Sequence, residues 1–171
     1  MPLTSSRKLI AQGLVAWLKT VQNTDTSSAL YQHVKNGAIW DPSAYTGLWA
    51  EVTYMQGKSS PAGSGGHQIG WRIEDHPAWI ISTGYRYDAD SETCMNNIYT
   101  AMDMLLPAIH GRYQIPNPNN PTQPIGSLFS VLVGEQNDRG APVTFPNGNV
   151  YFMWNAYVTV VQQYNVILVS P

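Results

Sequence analysis

The one dense group of acid, base and ligand side chains in this 171-residue sequence is Glu74-Asp75-His76. A carboxylate pair beside an imidazole could serve general acid/base catalysis or hold a metal ion. However, adjacent positions on a strand face opposite ways, and His76 is followed by Pro77, so the triplet reads as a strand end. His33, His67 and His110 have no ligand-type residue three or four positions away, which marks them as surface or hydrogen-bonded histidines. Cys94, the single cysteine, falls on the core stripe of a predicted helix, where a thiol behaves as a small hydrophobe. Its place near a helix N-terminus favours reactivity only mildly, since a nucleophilic thiolate needs an exposed, electropositive setting. In the glycine-rich run 57–67, Lys58 precedes the glycines, so the phosphate-cradling pattern is absent. Gly63-Ser64-Gly65 does not match a nucleophile elbow either. These residues lead to the expectation of a protein that is not an enzyme, with no catalytic, cofactor-binding or metal-binding residues.

The elements that would position these groups read as one domain over 1–171, the size of an ordinary folding unit. One cysteine allows no internal disulfide, consistent with folding inside a cell. The N-terminal run MPLTSSRKLIAQGLVAWLK is interrupted by Gln12 and Gly13, which argues against a secretory signal. No apolar run approaches the ~18 residues of a membrane span, so a soluble protein is expected.

Charged residues make up only 12% of the chain, against the ~25% usual for soluble domains. Six Trp and ten Tyr accompany them. Interface cores are likewise poor in Lys, Glu and Asp and rich in Trp, Tyr and Met, so this composition suits a surface covered by neighbours. The net charge of -2 argues against nucleic-acid binding through a basic face.

A first helix is predicted over 5–22, capped by Ser5 or Ser6, with Ile10, Leu14, Trp17, Leu18 and Val21 forming an apolar stripe. A second is predicted over 91–106, with Cys94, Ile98, Ala101, Met102, Leu105 and, past Pro107, Ile109 at helical spacing; Pro107 weakens its last turn and Gly111 ends it. Short strand or loop pieces are expected at 29–34 and 37–40. Strands are expected at 49–55, 68–73, 78–87, 125–133, 150–161 and 165–169. Residues 113–124 and 134–149 read as long loops, the latter ending in the Asn147-Gly148 turn. The order gives an α+β fold with an antiparallel-dominated sheet of five to six strands carrying two helices.

Between the strands at 49–55 and 68–73 lies GKSSPAGSGGH, too rich in Gly, Ser and Pro for a regular element. Residues 56–68 are therefore expected to form a long, flexible hairpin arm. Lys58, Ser59, Ser60, Pro61, Gly63, Gly65 and Gly66 become candidate assembly residues that order on contact with a partner. Trp49, Trp71 and Trp79 are candidate stacking residues, either at a subunit interface or, alternatively, in a carbohydrate-binding module.

The arrangement resembles the tail terminator, tail-completion and head–tail joining proteins of long-tailed bacteriophages. The resemblance rests on element order: an amphipathic helix over Leu9–Val21, a strand over Leu48–Met55, and a long-armed hairpin to Ile69–Ile73. The strand Ala78–Tyr87 then leads into a capped helix over Ser91–Leu106, followed by closing strands. Only the loops 113–124 and 134–149 exceed the pattern. The resemblance implies helices on one face of the sheet and a homo-oligomeric ring, usually a hexamer. It also implies a place in the virion, with tail tube protein and a head connector as partners, after assembly in the host cytoplasm. Another neck or connector role is the alternative within this group. Neither a membrane nor a specific nucleic acid is implied.

Overall fold

The computed structural model describes residues 6–39, 41–61, 71–87, 90–110, 114–120, 122, 127–132 and 141–166, with the backbone alone for 6, 56–61, 71–76, 127–132, 141 and 161–166. Among the described residues, two helices, α1 (Ser6–Leu18) and α2 (Ser91–His110), accompany eight strands. These are β1 (Gln22–Asn23), β2 (Ser28–Ala29), β3 (His33–Asn36), β4 (Trp49–Pro61), β5 (Trp71–Arg86), β6 (Ser127–Leu132), β7 (Ala141–Thr144) and β8 (Val150–Val166). β1 and β2 make a small hairpin; the others form one six-stranded sheet in the order β3-β4-β5-β8-β6, with β7 also paired to β8. Every pairing in it is antiparallel except β3 with β4. The architecture is α+β, as the sequence pattern predicts.

The helical stripes explain why both helices lie on one face. Ile10, Leu14, Trp17 and Leu18 of α1 and Ile98, Ala101, Leu105 and Ile109 of α2 share one core. Its sheet side includes Ala50, Val52, Trp79, Ile81, Trp154, Ala156, Val158 and Val160. Those sheet residues are alternate positions on three paired strands, so they project to a single face. The helix predicted over 5–22 stops at Leu18: Thr20 Oγ1 donates to the Trp17 carbonyl at 2.7 Å, and Gln22 has already entered β1. Conversely, α2 runs past the predicted 106 to His110, with Pro107 inside it. Pro107 is exposed, while Ile109 beyond it is buried, so the last turn is held by packing. Proline there removes one intrahelical hydrogen bond and crowds the preceding turn. Pro107→Ala is accordingly expected to raise stability by about 1–2 kcal/mol, read from urea denaturation.

Three expectations about the strands are corrected. The described part of the run 68–73 and the run 78–87 belong to one strand, β5 (Trp71–Arg86), which passes through Glu74-Asp75-His76-Pro77 without ending, while 68–70 lie outside the described residues. Similarly, 150–161 and 165–169 are joined in β8 as far as Val166. Residues 134–149 are not wholly loop, because Ala141–Thr144 pairs with Val150–Met153 across the Asn147-Gly148 turn. Gly148 takes φ 81°, a left-handed conformation that glycine adopts without a Cβ clash.

Candidate functional site: the hairpin arm and the second sheet face

The arm predicted over 56–68 starts as regular structure. Lys58, Ser59, Ser60 and Pro61 belong to β4 and pair with His76, Asp75, Glu74 and Ile73 of β5. The segment's composition therefore does not prevent a strand: pairing on β5, itself paired to β8, supplies the support that Gly, Ser and Pro lack by themselves. Gly63, Gly65 and Gly66, and the remainder of the arm at 62–68, lie outside the described residues. Trp71 opens β5 opposite Val166. The acid/base triplet sits on the same two-stranded framework, with Glu74 opposite Ser60 and Gln163, and Asp75 opposite Ser59 and Gln162. Consecutive strand positions alternate faces, so positions 74 and 76 fall on one side and 75 on the other.

Trp49 and Trp79 are not surface platforms. Trp79 is 2% exposed within the helix-backed core, and Trp49 is 0% exposed in a second, smaller core on the opposite face. Both point to the sheet interior because their neighbours are bulky and apolar, and neither offers a face to a glycan or a neighbouring subunit. The second core joins Trp49, Tyr151 and Ile39, with Tyr45, Phe145 and Met153 packed around them. Its rings meet edge to face, Trp49 with Tyr151 at 6.3 Å and Phe145 with Tyr151 at 4.8 Å, the offset arrangement that the ring quadrupole favours. The 37–48 connection between the parallel strands β3 and β4 supplies Ile39 and Tyr45 to this cover. Asn147 Nδ2 donates to Asp41 Oδ1 at 2.6 Å, tying that connection to the β7–β8 turn.

On the face opposite the helices, one polar row adjoins the second core, and Thr53, Ile80 and Tyr157 form the row after it. Glu51, Ser82 and Asn155 are cross-strand neighbours in one row. Glu51 Oε2 accepts a hydrogen bond from the Ile39 backbone N–H at 2.6 Å. Burial raises the Glu51 carboxyl above its usual range, and that hydrogen bond lowers it by less. A raised carboxyl is favoured in its protonated form, so Glu51 weighs against the fold at neutral pH.

On the helix side, Tyr31 Oη and Thr83 Oγ1 share a buried hydrogen bond of 2.9 Å. Burial pushes the Tyr31 phenol well above the usual tyrosine range, against the smaller lowering effect of Thr83. The folded protein thus keeps a proton that the unfolded chain releases above about pH 10. This contribution is complete below that pH and falls by about 1.4 kcal/mol per pH unit above it. Urea denaturation between about pH 9 and 11 should show that loss, and Tyr31→Phe should flatten it; equal slopes would refute the assignment.

The other flagged residues have structural settings. His33 stacks on Tyr45 with centroids 4.0 Å apart and planes 15° apart. Cys94 is buried, and its Sγ donates to the Arg86 carbonyl at 3.3 Å. His110 is exposed at the end of α2, and His67 lies outside the described residues.

At the root of the arm the structure exposes two apolar residues. Tyr54 is 39% and Met55 48% exposed, with the Arg7 guanidinium 5.4 Å from the Tyr54 ring centre. The contact of ring and guanidinium is a cation–π geometry. Strand alternation alone would put one of two adjacent apolar residues inside; here the register shifts between Tyr54 and Gln56, leaving Met55 as an extra residue. No sequence signal marks that shift. No protein-family model matches the chain and no curated protein is significantly similar to it, so its function has to be argued from its own geometry.

Proposed function

We propose that the chain is a structural subunit of a tailed-phage particle, forming a ring at the head-proximal end of the tail. There it would end tube growth and join the tail to the head connector. The observation that carries this reading is the β4–β5 hairpin. β8, β5 and β4 have 17, 16 and 13 residues, whereas α1 and α2 have 13 and 20. At ~3.3 Å per strand residue and 1.5 Å per helix residue, β8 reaches ~55 Å while the longer helix spans ~30 Å. The long strands therefore exceed in length either helix that backs the sheet. A subunit that must close a ring needs two different contact surfaces, and a long hairpin beside an aromatic-rich, charge-poor body supplies unlike faces for heterologous contacts.

Light scattering of the purified chain, alone and with polymerised tail tube protein, tests the reading. The expected mass is near six times the 18.9 kDa chain, with rings visible by electron microscopy. Gln56 and Ala78 are register partners, so joining them through an Asn-Gly turn removes the arm while keeping the base of the hairpin. That variant is expected to fold and to lose assembly. Rings formed as readily by the shortened chain would remove the arm from the account, and monomers under both conditions would sink the ring itself.

A further inference from the structure

Three strand ladders are interrupted within about two residues of one another along the sheet. Between β4 and β5, Tyr54 pairs with Trp79 and Gln56 with Ala78, which leaves Met55 unpaired. Between β5 and β8, Asp75 pairs with Gln162 and Ala78 with Thr159, and the ladder skips His76 and Pro77. Between β6 and β8, Leu128 pairs with Val160 and Ser130 with Thr159, which leaves Phe129 unpaired. Met55, Pro77, Val160 and Phe129 thus mark a line across four adjacent strands.

Each interruption has its own chemistry. An extra residue bends its strand and raises the local twist. Proline has no N–H to give to a ladder and is unusual on a strand paired on both sides, as β5 is. A lone bulge is absorbed by its intact neighbours, but here the neighbouring ladders break within about two residues of it, along a slant across the sheet.

We propose that this line is a hinge, about which the distal parts of the four strands (56–61, 71–77, 161–166 and 127–128) swing as one plate against the helix-backed base. Pairing within the plate is continuous, Gly57–Pro61 with Ile73–Pro77 and Trp71–Asp75 with Gln162–Val166, so it moves without fraying. The hinge belongs to the single chain and holds whether or not the chain forms rings. In an assembly it would let the arm tilt to meet a neighbour while the core stays fixed.

Paired spin labels test it in the full chain with Cys94→Ala. One label is placed at Asp103→Cys on the exposed side of α2 and the other at Asn165→Cys on the plate. At ~3.4 Å per residue, position 165 lies ~17 Å past the line, so a swing of ~30° moves it by ~9 Å. The expected distance distribution is spread over a comparable range, whereas a control pair within the base, Asp103→Cys with Lys35→Cys, gives a narrow one. Pro77→Val with Met55 deleted restores the donor and closes one bulge, and should collapse the spread to a single narrow peak. Should that variant fail to fold, Pro77→Val alone is expected to narrow the spread. A single narrow distance in the unaltered ladder overturns the hinge, as does an unchanged spread in either folded variant or an equally broad control.

Discussion

Gly84→Ala is expected to destabilise the protein by about 3 kcal/mol, the upper part of the range for overpacking a core. Gly84 lies on β5 opposite Trp49 of β4 and Met153 of β8. A Cβ at this position would overlap the six-membered ring of Trp49, with Cη2 only 2.7 Å away. That ring cannot yield easily, because Trp49 is fully buried and held by Tyr151 and Ile39. The strain is steric and specific to the pair, so Trp49→Leu should rescue part of it. A double-mutant cycle read from thermal melts should give a coupling of about 1–2 kcal/mol. For a chain of this size, the single change corresponds to a melting temperature lower by about 6–12 °C. Additive effects of the two changes would show that the Trp49 ring does not rest on Gly84.

Trp154→Ala is expected to have an effect of about 3–5 kcal/mol, the range for truncating a buried large aromatic side chain. Trp154 is 0% exposed on β8 and packs in the core shared by both helices. Trp154→Phe should cost much less, about 1 kcal/mol, because a ring of similar shape remains. The difference isolates packing from polarity: Trp154 Nε1 is buried with no hydrogen-bond partner among the described residues. Removing an unpaired buried donor relieves a desolvation penalty, which offsets part of the lost volume. Tyr151 Oη is in the same position, so Tyr151→Phe should leave stability unchanged or slightly raised. Urea denaturation of these variants checks the whole set. A loss above about 2 kcal/mol in Tyr151→Phe would mean that its hydroxyl has a partner after all.

The helices were the most legible part of the chain. Ile10, Leu14, Trp17 and Leu18, and Cys94, Ile98, Ala101 and Leu105, fall at helical spacing and are all buried. Helix ends were less legible, because packing of Ile109 overrides the breaking tendency of Pro107, and no propensity rule weighs one against the other. In the sheet, the local punctuation misled. Glu74-Asp75-His76-Pro77 reads as a strand end, yet β5 continues because β4 and β8 pair with it on both sides. The candidate site was legible as a location and not as a structure. The sequence marks the arm by its composition, but strand pairing at Lys58–Pro61 is a tertiary effect. Trp49 and Trp79 are a further case: an aromatic on a strand has two faces available, and only the register decides which one is covered.

β8 is central in the sheet but comes late in the chain. Its partner β5 ends at Arg86, roughly sixty residues before Val150. During synthesis at about 5–20 residues per second, β4 and β5 are made several seconds before the strand that completes them. Meanwhile one side of β5 lacks its neighbour, and the face that carries Trp79 and Ile81 lacks Trp154 and Ala156 beside it. Pro77, which weakens the finished ladder, also interrupts that waiting edge and makes it a poorer template for another nascent chain. The same residue that loosens the mature sheet thus serves the chain before the sheet exists, and closure by β8 is expected to be the slow step of its folding.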